Sequence, residues 1–179
     1  MAKPEARSVH ARPGRIDAFT LVELLIVVVL VAIAATLTIP WLADTDATRV
    51  QAAARLLAAD LDFAKIESIT HPDDTCLVSF DQANNTYTVA KSSAPSTPMT
   101  DPSTNQPYVT QFGTGRAAES AGVTIQAYSL DGDNELAFGM YGQTDQTTQA
   151  TITLQAGAYT VTVQVDPASG ETSLQAVSP

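Results

Sequence analysis

From Phe19 to Ile39 the chain shows no alternation of polar and apolar positions at all. The run is 21 residues long, carries one charge, Glu23, and closes at Pro40. As a helix rising about 1.5 Å per residue it spans roughly 30 Å, the thickness of a bilayer's hydrocarbon core. The pattern therefore predicts a membrane helix over 19–40. It is longer than the apolar core of a secretory signal peptide, and Pro40-Trp41-Leu42 offers no small-residue cleavage site.

Between Asp44 and Ile69 a helical period appears. Val50, Ala53, Ala54, Leu57, Leu61, Ala64 and Ser68 recur at three- and four-residue spacings and form one stripe. Gln51, Arg55, Ala59 and Asp62 fall on the opposite face. This predicts an amphipathic helix within 41–71, entered after a bend near Pro40, with Thr45 or Asp46 as N-cap. His71-Pro72 stops it, because the residue before a proline is driven out of the α region. The stripe is rich in small residues, so a sheet can approach it closely.

After Pro72 the period becomes two. Cys76–Phe80 and Thr86–Ala90 read as strands joined by the turn-rich Asp81–Asn85, a hairpin. Residues 91–107 hold four prolines among Ser, Thr and Asn and read as a long flexible loop. Tyr108–Phe112, Val123–Tyr128 and Leu136–Met140 read as strands, with a turn at Gly113–Arg116. Thr151–Leu154 and Tyr159–Val165 form a second hairpin around Gln155–Ala158. Asp166–Gly170 is a turn, and Thr172–Ala176 a last short strand. Closely spaced strands with short links predict antiparallel sheets. The fold class is therefore α+β: a long N-terminal helix, half transmembrane and half amphipathic, on an antiparallel β head at 72–179.

Charge refines this picture at both ends. Residues 1–18 hold Lys3, Arg7, Arg12 and Arg15 against Glu5 and Asp17. A basic flank beside an apolar helix stays on the cytoplasmic side. Without that leader, five Lys/Arg face seventeen Asp/Glu, a net charge near −12. Glu23 is the anomaly of the apolar run. A carboxylate in a membrane helix costs about 2.5–3.5 kcal/mol at the bilayer centre, so it marks a functional position and calls for a cationic partner. The leader cations or, once the leader is removed, a new free amine supply candidates.

Ala18-Phe19-Thr20-Leu21-Val22-Glu23-Leu24-Leu25-Ile26-Val27-Val28 resembles the class III signal of type IV pilins and type II secretion pseudopilins. The resemblance implies a prepilin peptidase/methyltransferase that cuts between Ala18 and Phe19 and methylates Phe19. It implies that Glu23 meets the N-terminal amine of a neighbouring subunit. Ala18 stands where the family usually has Gly. Gly14 is no substitute site, since it would leave Arg15 and Asp17 at the head of the helix. Leu57-Ala58-Ala59-Asp60-Leu61, Phe63-Ala64-Lys65 and Glu67-Ser68-Ile69 are similar to the signature of the H-type minor pseudopilins and related minor pilins (the GspH/FimT group). Lys65 replaces the usual Arg and Ser68 the usual Ala. The order Phe138 to Gly142, hairpin, Pro167 to Gly170, final strand is also similar; residues 91–116 have no counterpart. A pilin-like fold follows as an expectation. So does a single-pass inner-membrane location, with the N-terminus cytoplasmic and the head periplasmic.

Catalytic chemistry has little to draw on. The histidines are His10 and His71, and Cys76 is the single cysteine. A zinc site needs four such ligands, and a nucleophilic triad would have to use His71. Cys76 lies in an apolar run and reads as a buried structural thiol. Asp131-Gly132-Asp133-Asn134-Glu135 offers oxygen ligands, but Gly sits second rather than sixth, so it reads as a solvated turn rather than a calcium loop. No catalytic residue, metal or cofactor is expected. DNA capture needs a cationic face. Only Arg49, Arg55, Lys65, Lys91 and Arg116 follow the leader, with none after Arg116, so no nucleic acid is expected. Two structural roles stay open: a minor pseudopilin of a type II secretion system, and a minor pilin of a type IV pilus. In either, the partners are the peptidase, other pseudopilins or pilins, and the inner membrane.

Overall fold

The computed structural model describes residues 20–43 and 45–179, with side-chain environments given for 20–33 and 45–179. Two compact units separate at the Pro40–Trp41 junction. In the first, α1 (Leu21–Ala43) is helical throughout. The helical backbone does not close at Pro40, where the apolar run ends, but continues three residues past it. Proline removes one intrahelical donor without forbidding the helix from passing. Every side chain from Thr20 to Ile33 is exposed. Among the described residues no helix is long and apolar enough to cross a membrane. Leu21 to Ile33 alone gives about 20 Å of helix.

The second unit, Trp41–Pro179, contains α2 (Thr45–Thr70). Its buried face is Val50, Ala53, Ala54, Leu57, Leu61, Ala64 and Ser68, the predicted stripe, with Asp60 added. Gln51, Arg55, Ala59 and Asp62 are exposed, as the period requires. The helix starts at Thr45, so Thr45 and Asp46 occupy its first turn rather than preceding it, and Asp46 there pairs with Arg49 at 3.4 Å.

Eight strands follow: β1 (Cys76–Asp81), β2 (Thr86–Lys91), β3 (Val109–Gln111), β4 (Thr124–Ser129), β5 (Glu135–Ala137), β6 (Ala150–Ala156), β7 (Tyr159–Val165) and β8 (Thr172–Leu174). They form two antiparallel four-stranded sheets, ordered β3-β2-β1-β5 and β4-β6-β7-β8. Both predicted hairpins are present. The second is tighter than its sequence suggested, with pairing running to Ala156↔Tyr159 and Gly157 at φ +56° between them. A short 3-10 stretch, Gly115–Ser120, replaces the expected open turn.

β6 and β7 alternate buried and half-buried residues along their length, the mark of a sheet with one face on the core. Ile152, Leu154, Val161, Val163 and Val165 join Val78, Phe80 and Val89 of the other sheet and the α2 stripe in one hydrophobic cluster. The alanines of α2 let both sheets reach the helix. The connection 91–107 is tied down along its length. Met99 N–H donates to Val89 O at 2.9 Å and Tyr108 N–H to Met99 O at 2.7 Å, with further bridges at Ala90↔Pro98 and Thr100↔Pro107. The Asp166–Gly170 turn is seated so closely that a Cβ at Gly170 (φ +59°) would collide with Gly142 O.

Candidate functional site

Of the predicted processing residues, Ala18 and Phe19 lie outside the described residues. Glu23 occupies the first turn of α1, exposed, with its backbone N–H donating to Thr20 Oγ1 at 3.2 Å. Thr20 O accepts the first helical bond, from Leu24 N–H, also at 3.2 Å. Thr20 is thus a true N-cap, and Thr20-Leu21-Val22-Glu23 has the spacing of a capping box. A carboxylate in a first turn also faces the positive end of the helix dipole. Behind it, Leu21, Val22, Leu24, Leu25 and every larger apolar residue to Ile33 are 48–82 % exposed. Among the described residues, the arrangement is one anion at the head of a helix whose larger apolar side chains are exposed.

A second polar constellation lies inside the head. Asp60 is 2 % exposed on the core face of α2. Tyr87 OH of β2 donates to its Oδ2 at 2.6 Å, and Tyr108 OH to its Oδ1 at 3.1 Å. Arg116, on the 3-10 stretch, reaches the same Oδ1 through Nη2 at 2.7 Å, and its Nη1 lies 3.5 Å from the Asp101 carboxylate. The guanidinium stands 4.8 Å over the Tyr108 ring, which stacks on Phe63 of α2 at 5.3 Å. Burial pushes the Asp60 carboxyl up, and the Tyr87 hydrogen bond, the Arg116 charge and Tyr108 only partly offset it. Burial also drives the Tyr87 phenol well above its usual value, helped by the adjacent Asp60. On Arg116 burial disfavours the charge, but Tyr108 and the Asp60 carboxylate outweigh it and raise its pKa. These groups fasten α2 to β2, to the residue preceding β3, and to the 3-10 stretch. The signal that could have found Asp60 is its spacing, three residues beyond Leu57 and one before Leu61, inside the apolar stripe. A buried carboxylate requires partners, and Arg116 is the last cation of the chain.

The remaining candidates build local structure. Asp131 accepts from Thr147 N–H and Oγ1 and from Thr148 Oγ1. Asp133 Oδ1 accepts Glu135 N–H at 3.0 Å, and Asn134 Nδ2 donates to Phe80 O at 3.0 Å. Their ligating atoms are turned to different neighbours, and among the described residues no group of three or more His, Cys, Asp or Glu is placed to hold a metal ion. His71 Nδ1 sits 3.0 Å from Glu67 Oε1, and Glu67 also pairs with Lys91 Nζ at 2.8 Å. Cys76 is a free, buried cysteine whose N–H donates to Ser68 Oγ at 2.8 Å; burial pushes its thiol pKa up. No family model, curated protein or solved structure matches the chain.

Proposed function

We propose that this protein is a non-catalytic minor pseudopilin: a subunit cleaved between Ala18 and Phe19, methylated at Phe19, held in the inner membrane by its N-terminal helix and assembled into the periplasmic filament of a type II secretion system. The observation that carries the reading is α1. Among the described residues, its apolar side chains from Leu21 to Ile33 are exposed, and its one charge sits at the capped first turn. Such a helix needs an apolar environment from outside, which lipid supplies before assembly and neighbouring helices supply after it. The described side chains end at Ile33, short of a full span; the 21-residue run to Ile39 supplies the rest of the length in this reading.

The head supports a structural rather than a chemical role. Its buried carboxylate, Asp60, is engaged by two phenols and a guanidinium of the same head. Its acidity argues against a nucleic-acid partner. The type II assignment within the pilin-like class rests on the H-type signature around Leu57–Ile69 and is the finer half of the proposal; assembly in a type IV pilus is its alternative.

Intact-mass and N-terminal peptide mass spectrometry on the protein extracted from native membranes tests the reading. A chain beginning at Phe19 with one added methyl group is the expected result. A chain still beginning at Met1 would leave a static membrane-anchored protein and overturn the filament assignment.

A further inference from the structure

A cleft of about 530 Å³ opens between the two sheets, lined by Phe80, Asp81, Gln82, Ala83, Tyr128 and Asn134. Tyr128 is its half-buried aromatic, packed on the buried Phe80 with ring centroids 6.0 Å apart. One wall is β4, the outermost strand of its sheet. That free edge is occupied by side chains. Asn85 Oδ1 accepts the backbone N–H of Ile125 at 3.1 Å, and Gln82 Nε2 donates to the backbone carbonyl of Gln126 at 2.6 Å. Both residues come from the β1–β2 turn, where Asn85 adopts φ +50°. An amide oxygen and an amide nitrogen thus stand where the carbonyl and N–H of a further strand would pair. They fall at the position where the β4–β6 register shifts, between Ile125 and Ala127.

We infer that this cleft is a strand-addition site for an extended, basic segment of a partner protein. Such a segment would displace the side-chain amides of Gln82 and Asn85, pair its backbone with β4 and lay a side chain against the half-buried Tyr128, the mode in which an exposed sheet edge takes up a peptide. Charge selects the occupant. Asp81 lines the cleft, and Asp133 and Glu135 flank the lining residue Asn134. From Ala117 to the end of the chain there is no Lys or Arg against seven Asp or Glu. An acidic segment is repelled there, and a basic one is drawn in. The side-chain amides keep the edge covered while the site is empty, as edge strands require to avoid indiscriminate pairing. The inference does not depend on filament assembly.

The test uses the full-length chain in a neutral detergent and a fluorescent nonapeptide of alternating Lys and Val, read by anisotropy. Saturable binding is expected. The same peptide N-methylated along both edges keeps its charge but cannot form a backbone ladder, and is expected to bind at least tenfold more weakly. A Glu/Val analogue is expected not to bind. Gln82→Ala removes an intramolecular competitor from an exposed position and is expected to tighten the plain peptide several-fold. Equal affinity for plain and N-methylated peptides would reduce the effect to charge attraction and overturn the site. So would the absence of saturable binding, or unchanged or weaker binding by Gln82→Ala.

Discussion

The two helices divide the chain's apolar surface in opposite ways. α1 is apolar around its whole circumference and exposes all of it from Leu21 to Ile33. α2 concentrates its apolar residues in one stripe, and Val50, Ala53, Ala54, Leu57, Leu61 and Ala64 are each 0 % exposed. The difference locates where each helix finds its stability. α2 is stabilised by the sheets it covers. Among the described residues, the side chains of α1 from Leu21 to Ile33 are exposed and gain no such support. The charges follow the same division. Asp60 of α2 is met by three donors within the chain, whereas Glu23 has its side chain exposed at the start of α1. A carboxylate satisfied internally holds the fold together, and one left exposed on an apolar helix is available to a second subunit.

The largest effect that would break this comparison is at Glu23. On the proposed function, Glu23→Ala leaves membrane insertion intact and lowers incorporation into filaments at least tenfold, measured by co-sedimentation with sheared filaments. Filament yield equal to the native protein would remove Glu23 from the subunit contact. Next comes its buried counterpart. Removing one partner of a buried ion pair costs about 3–5 kcal/mol, because the other charge stays buried. Arg116→Ala therefore unfolds the head at markedly lower denaturant, and the double variant Asp60→Asn, Arg116→Ala recovers part of the loss. Additive losses in that double variant would show that the two groups act independently. Truncating the stripe follows: Leu57→Ala costs about 2–5 kcal/mol in the same denaturation, as expected for a fully buried leucine. Val27→Ala in α1, 50 % exposed, leaves the head's unfolding unchanged. A head destabilised by Val27→Ala would show that α1 also supports the folded head.

Most of the head's secondary structure is legible in the sequence because burial acts on period. Asp60 apart, the stripe of α2 is legible, since a helix with one face on a sheet buries positions at that spacing. β6 and β7 are legible for the matching reason at period two. The order of strands is not. Alternation says that β4 has a core face, but not that it forms an edge beside β6, because hydrogen bonds to neighbours leave no mark on side-chain polarity. Asp60 is not legible for a different reason. Polarity rules place carboxylates outside, and only the meeting of Tyr87, Tyr108 and Arg116, 27, 48 and 56 residues further along, reverses that. The cleft beside β4 was invisible for the same cause, since it is built by Gln82 and Asn85 reaching across to a different sheet.

The smallest expected effect concerns pH, and it sharpens the contrast within the head's own carboxylates. Asp81, Asp131 and Asp166 each accept hydrogen bonds from nearby turns, which hold their carboxyls below the usual value. Asp101 is also held low: burial opposes this, but Ser103's hydrogen bonds outweigh it. Each such group binds fewer protons folded than unfolded, so the stability it contributes is present above the ordinary carboxylate value and is lost as pH falls through the lowered folded one. Asp60 runs the other way. Its folded pKa is raised by burial, so the folded state holds the proton longer, and Asp60's contribution is present below the ordinary value of 3.8 and is lost as pH rises through the raised one. In the native protein the two trends oppose each other just above pH 3.8. Asp60→Asn abolishes the opposing one. The variant is less stable overall, yet its melting temperature should climb more steeply with pH in that window than the native protein's. Parallel melting curves for the two proteins across the same pH range would mean that Asp60 does not titrate differently in the folded head, and that its three donors fully offset its burial.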